Sequence, residues 1–178
     1  ICDFGQAAKS FELKSTNNKI IKLNDVKGTN GTLVMFICNH CPYVKAVIKD
    51  IVEDCKNLEK LGVKAVAISA NDPINYPEDS FKNMIEFARK HQFIFPYLFD
   101  ETQNVAKSYD AVCTPDFFGY NNNLELQYRG RIRELDNLKP VRAGDSDLFI
   151  AMKQIAETNK GPEEQIPSLG CSIKWFDK

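Results

Sequence analysis

Residues 31–46, GTLVMFICNHCPYVKA, join a buried strand to an amphipathic helix through a pair of cysteines. The run GTLVMFI (31–37) is short and mostly apolar with β-branched members, the pattern of a strand covered on both faces. After Pro42 the period changes. Val44, Val47, Ile48, Ile51, Cys55, Leu58 and Leu61 recur at steps of three or four, one apolar helical stripe. Gly62 closes that helix at a C′ position. The junction itself is Cys38-Asn39-His40-Cys41, with Pro42 in the first helical turn, where its missing N–H costs nothing.

This placement sets the expected chemistry. Free N–H groups and the positive end of the helix dipole favour a thiolate near the helix N-terminus. The sequence therefore predicts Cys38 as an exposed attacking thiolate and Cys41, almost a turn on and partly covered, as the resolving thiol. His40 adds positive charge beside them and is expected to lower the Cys38 pKa. Dithiols of this arrangement have thiol pKa values of roughly 3.5–7. Asn39 and Pro42 shape the loop. A purely structural cysteine pair is the plainer reading. A metal site needs four ligands, usually two such pairs. Beyond the pair, His40, Cys113, Cys171 and His91 have no ligand spacing, so no metal is expected. A metal-binding module using the dithiol and His40 is kept as an alternative.

The rest of the chain alternates. FELK and KIIKL flank the turn-rich STNN as a hairpin, and VKAVAIS (63–69) is a second buried strand. The loop ANDPINYPED ends on Asp79 or Ser80 as N-cap of a helix with Phe81, Met84, Ile85 and Ala88 inward. FPYLFD reads as a strand, TQNVAKSYD as a short helix, and CTPDFFGY with LELQYRG as a strand pair around NNN. Residues 131–144 read as a loop. Ser146 to Thr158 is the last helix, with Leu148, Ile150, Ala151, Met152 and Ile155 as its stripe. Residues 160–178 form an extended tail on a single domain spanning 1–178. The order predicts an α/β fold, a central sheet with helices on both faces. In such sheets ligands sit at the carboxyl ends of strands, where Cys38 and Cys41 lie.

Bulk properties narrow the partners. The chain has 178 residues, 43% hydrophobic and 26% charged, with a net charge of −1. Scattered Lys and Arg make nucleic acid an unexpected partner. No apolar run approaches the ~18 residues of a membrane span. The cysteines (Cys2, Cys38, Cys41, Cys55, Cys113, Cys171) are too sparse and irregular for a secreted disulfide scaffold and fit a reducing, cytoplasmic setting. The chain opens at Ile1 rather than Met, which leaves a cleaved leader open.

VCTPDFF (112–118) supplies the second half of the site. In dithiol folds of this type a cis-proline faces the cysteine pair, and Thr114-Pro115 falls where it belongs. Its use is to leave the Thr114 backbone free to pair with an extended substrate segment. Cys55 continues the helical stripe and is a core residue. Cys2, near the chain end, is incidental. Cys113 and Cys171 are candidates for further redox thiols, with packing and tail anchoring as the plain readings. Asn71 and Asp72 follow a strand on the dithiol's edge of the sheet and either reach the site or shape a turn. His91 caps a helix end. Arg129, Arg131 and Arg133 read as solvated surface or as an anion-attracting strip.

FICNHCPYVK, AISANDPINYPEDS, FPYLFDETQNVAKSYDAVCTPDFF, YRGR and PSLGCSIKW together resemble the peroxiredoxin-like, CxxC-containing branch of the thioredoxin superfamily, within the alkyl hydroperoxide reductase/thiol-specific antioxidant (redoxin) family. The resemblance covers nearly the whole chain. It implies a thioredoxin-like fold, a central mixed sheet with an N-terminal hairpin, and a thiol redox role. The peroxiredoxin pattern Pro-x-x-x-Thr-x-x-Cys is missing. Counting back from Cys41 gives Cys38 and Val34; counting back from Cys38 gives Met35 and Gly31. The reading is therefore a thiol–disulfide oxidoreductase acting on protein or small-molecule disulfides through Cys38 and Cys41. It needs no bound cofactor and draws electrons from an external thiol reductant. Thiol peroxidase activity with either cysteine is the alternative.

Overall fold

A computed structural model describes residues 4–176; Cys2 lies outside them. In chain order the elements are β1 (Glu12–Ser15), β2 (Ile20–Lys22), β3 (Gly31–Phe36), α1 (Pro42–Glu59), β4 (Val63–Ser69), α2 (Phe81–Lys90), β5 (Tyr97–Phe99), α3 (Asn104–Ser108), β6 (Cys113–Thr114), β7 (Asp116–Tyr120), β8 (Leu126–Gly130), β9 (Leu135–Asp136), β10 (Lys139–Pro140), α4 (Asp147–Thr158) and β11 (Cys171–Ser172). Seven strands form one mixed sheet in the order β2-β1-β5-β4-β3-β7-β8. The centre is parallel, β3 with β4 and β4 with β5. The flanks are antiparallel, with the β1–β2 hairpin on one side and β7–β8 on the other. No helix among the described residues is long and apolar enough to cross a membrane.

The sheet is covered on both faces, as the alternating pattern predicts. Successive strand side chains point to opposite faces, and β3 shows it. Leu33 and Met35 join the cluster built with α1, α2 and α4. Val34 and Phe36 join the other, with Phe11, Leu23, Ala106 and Tyr109. The α1 stripe is buried at Val44, Val47, Ile48, Ile51, Cys55 and Leu58. Each such aliphatic side chain contributes roughly 1.5–3 kcal/mol of burial. Gly62, at φ +83°, takes the left-handed conformation that ends this helix.

Some details differ from the sequence reading. In α2 the buried residues are Met84 and Phe87, while Ile85 is only half-buried. The Phe87 ring packs against His91, Phe93 and Tyr97. His91 does cap the helix end, through its backbone N–H. Ile150 faces solvent. Residues 131–144 contain the small β9–β10 hairpin. The arginines are neither a solvated strip nor an anion trap. Arg129 pairs with Asp116 at 3.1 Å, Arg131 with Asp147 at 2.7 Å and Arg133 with Asp50 at 3.0 Å.

Candidate active site

The cysteine pair sits where β3 ends and α1 begins. Pro42 is the first helical residue and Cys41 the N-cap, so the first-turn amides face Cys41. Cys38 lies three residues further out. Both sulfurs are enclosed, with Cys38 1% and Cys41 0% exposed.

In that arrangement the charge bias runs toward Cys41 rather than Cys38. The Cys41 pKa is lowered to about 4, first by the Cys38 thiol and then, against the burial that opposes it, by Cys171 and the Val44 and Cys171 amides. Cys38 is pushed up well beyond the ordinary thiol range, by Cys41, by burial and by the negative charge of Asp79. The charge of the pair is thus biased toward Cys41. When Cys41 is protonated, its S–H reaches the Thr114 carbonyl at 3.4 Å.

His40 does not serve Cys38 as expected. Its Nδ1 lies 2.5 Å from Asp79 Oδ2, without the alignment of a hydrogen bond. Its ring stacks on Tyr76 at 6.1 Å. Asp79, fully buried, is the residue that sequence reasoning missed as part of the site. Ser80 takes the N-cap role for which both were candidates, accepting from the Asn83 amide. Asp79 instead reaches under the cysteine loop. Its Oδ1 accepts from the Asn39 amide and its Oδ2 from Asn71 Nδ2, both at 2.8 Å. Tyr97 also went unread. Its hydroxyl donates to Asn39 Oδ1 at 2.8 Å and fixes the loop from β5. Buried polar groups need such partners.

Cys38 Sγ, His40 Nδ1 and a carboxylate oxygen of Asp79 lie within 4.8 Å of one another. Each Asp79 oxygen also holds one of these loop hydrogen bonds, and three such groups fall short of the four ligands of a structural metal site.

The facing wall is Thr114-Pro115, joined by a cis peptide bond. Thr114 Oγ1 lies 3.5 Å from Cys38 Sγ. The Thr114 backbone is not free. β11 pairs antiparallel with β6, Cys171 opposite Thr114 and Ser172 opposite Cys113. Cys171 Sγ comes to 2.7 Å from Cys41 Sγ. The tail therefore runs across the dithiol. Cys113 is half-buried, its pKa pushed up to about 12 by burial and then by Asp116, as befits a packed thiol. Cys55 lies in the core, 3% exposed.

Asn71 and Asp72 divide their two readings. Asn71 bridges Asp79 to the tail by accepting from the Lys174 amide at 2.9 Å. Asp72 shapes its turn, accepting from the Ile74 amide at 2.8 Å. Beside the pair a groove of about 670 Å³ opens, lined in part by Pro42, Tyr43, Pro115, Ile132 and Leu138.

A mixed sheet, a cysteine pair at a helix N-terminus and a cis-proline opposite define a thioredoxin-superfamily protein. Solved thioredoxin-domain structures share the fold, one from Bacteroides vulgatus at a TM-score of 0.61 and 15% identity, covering 72% of this chain and 89% of that one. The chain belongs to the AhpC/TSA family, whose profile matches residues 4–135. It is 27% identical over 117 residues to the thiol-disulfide oxidoreductase ResA of Bacillus subtilis, covering 66% of this chain and 61% of that protein. It is 26% identical over 115 residues to the chloroplastic peroxiredoxin Q of Populus jackii, covering 65% and 49%. A solved structure of an uncharacterized conserved protein from Geobacillus kaustophilus matches at 40% identity and a TM-score of 0.95, over 100% of this chain and 95% of that one.

Proposed function

We propose that this protein is a thiol–disulfide oxidoreductase whose working pair is Cys38 and Cys41. The observation that supports it is the contact of two thiols at the start of α1, one driven toward the thiolate and the other toward the thiol. An exchanging dithiol needs a nucleophile and a proton-bearing partner, and this pair is divided that way.

The Cys41 thiolate attacks one sulfur of a disulfide, and the other substrate sulfur leaves as a thiolate that takes up a proton. The resulting mixed disulfide is resolved by Cys38. It gives up its proton, attacks the Cys41 sulfur and expels the second substrate thiol. The protein ends with a Cys38–Cys41 disulfide, and the substrate gains two electrons and two protons. An external thiol reductant reverses the protein's oxidation. Because β11 occupies the Thr114 backbone and sets Cys171 against Cys41, an extended disulfide-bearing segment takes its place there. The neighbouring groove offers apolar surface for the flanking residues.

Mixing the reduced protein with a small disulfide tests this reading. Cys38 and Cys41 are expected to disappear together as free thiols, and Cys41→Ser to lose the reaction. A hydroperoxide that oxidises Cys41 far faster than a free thiol, with disulfides left untouched, would give the protein to peroxide reduction instead.

A further inference from the structure

The tail carries a cysteine that lies beyond the residues matched by the family profile and outside the working pair. Cys171 is held in register from both sides. Before it, the Ile166 carbonyl accepts from the Arg131 amide and Ser168 Oγ donates to the Gly130 carbonyl, both at 2.8 Å. Gly170 lies so close to Thr114 that a Cβ there would stand 2.1 Å from the Thr114 carbonyl oxygen. Beyond it, the Ile173 amide donates to the Val112 carbonyl at 3.1 Å and the Asp72 amide to the Lys174 carbonyl at 2.8 Å. A segment pinned at so many points delivers its sulfur to Cys41 by construction.

The sulfurs form a chain with Cys41 in the middle. Cys41 interacts with the Cys38 thiol and also with Cys171 Sγ, at 2.7 Å. Exposure differs along it. Cys38 and Cys41 are enclosed, whereas Cys171 is half-buried and reaches solvent. Disulfide exchange depends on access and on which sulfur is attacked.

We propose that Cys171 is a third redox thiol, which takes the disulfide from the enclosed Cys38–Cys41 pair and presents it to the external reductant as Cys41–Cys171. This rests on the reading of Cys38 and Cys41 as an exchanging dithiol. Once that disulfide has formed and the tail lies on β6, Cys171 gives up its proton and attacks the Cys41 sulfur. The 38–41 bond breaks, the 41–171 bond forms, and Cys38 leaves as a thiolate that takes up the proton Cys171 gave away. No electrons enter or leave in this step. A dithiol reductant then attacks the accessible Cys171 sulfur and Cys41 departs as thiolate, the better leaving group because its pKa is the lower. The second thiol of the reductant releases Cys171. The protein gains two electrons and two protons, and the reductant becomes a disulfide.

The test uses the full chain, reduced and then oxidised with oxidised glutathione, quenched in acid, digested and mapped by mass spectrometry. Cys41–Cys171 is expected alongside Cys38–Cys41, and Cys38→Ser is expected to give Cys41–Cys171 alone. In Cys171→Ser the Cys38–Cys41 disulfide is expected to form, but its reduction by dithiothreitol to slow by about tenfold, since the exposed sulfur is gone. A Cys38–Cys41 disulfide with Cys171 always free, and no slowing in Cys171→Ser, overturns this inference and leaves the dithiol standing. No disulfide at Cys41 in any form overturns both.

Discussion

The Cys41 pKa is lowered first by the Cys38 thiol and then by Cys171 and the amides around it, and Cys38 keeps its proton because Cys41, burial and Asp79 all act against its ionisation. The sign of the pH dependence follows. A thiol whose folded pKa is depressed stabilises the fold above its unfolded value, ~8.5, and that contribution is lost as pH falls through the folded value, about 4. Cys38 acts in the opposite sense. Its raised pKa stabilises the fold below ~8.5, and that contribution is lost as pH rises beyond it. The ultraviolet absorbance of the reduced protein is expected to show one thiolate persisting down to about pH 4, and Cys41→Ser to abolish that step. A reduced protein with no thiolate until pH ~8 contradicts the assignment. The sequence identified the pair and the start of α1, but not the neighbours, the buried Asp79 beside Cys38 and Cys171 beside Cys41, that bias its charge. Asp79 was invisible because a carboxylate before a helix reads as a cap, and only the folded loop turns it inward.

The elements were the most readable part of the chain. The β3 run and the α1 stripe carry the two periods that distinguish strand from helix, and both stand where the sequence puts them. Phe87 was missed because a helical face inferred from Phe81, Met84, Ile85 and Ala88 leans one residue away from the core that Phe93 and Tyr97 define. One link between elements was not legible at all. Ser146, the N-cap of α4, accepts from the Phe149 amide and donates to Asp54 Oδ2 of α1 at 2.5 Å. Burial first, with Asp50 adding to it, raises the Asp54 pKa to about 6 despite the Ser146 hydrogen bond. A raised carboxylate favours the fold below its unfolded value, ~3.9, and loses that contribution as pH rises through about 6. Asp54→Asn, which cannot ionise, is therefore expected to stabilise the protein at neutral pH, by on the order of 2 kcal/mol. Near pH ~4 it should change little. Urea denaturation at the two pH values checks both expectations.

For the molecule as a whole, the tail turns an open dithiol site into a closed one. Its 160–178 span reads from sequence as merely extended, since a short strand such as β11 has no periodicity of its own and pairs only because β6 offers Thr114. Gly170→Ala places a Cβ against the Thr114 carbonyl and is expected to lift the tail. Alkylation of Cys38 and Cys41 by iodoacetamide should then accelerate, while the unfolding midpoint falls only modestly, because of the buried core residues the tail contributes Ile173 alone. Unchanged alkylation would mean that the tail does not gate these sulfurs. The most direct measurement is a redox titration of the intact protein in glutathione buffers, with the disulfides mapped at each potential. Reversible loss of the Cys38 and Cys41 thiols is expected, with a midpoint between about −270 and −120 mV, the range of exchanging dithiols. Thiols at 38 and 41 that stay reduced throughout, or a bond that resists reduction below about −300 mV as structural disulfides do, would contradict it.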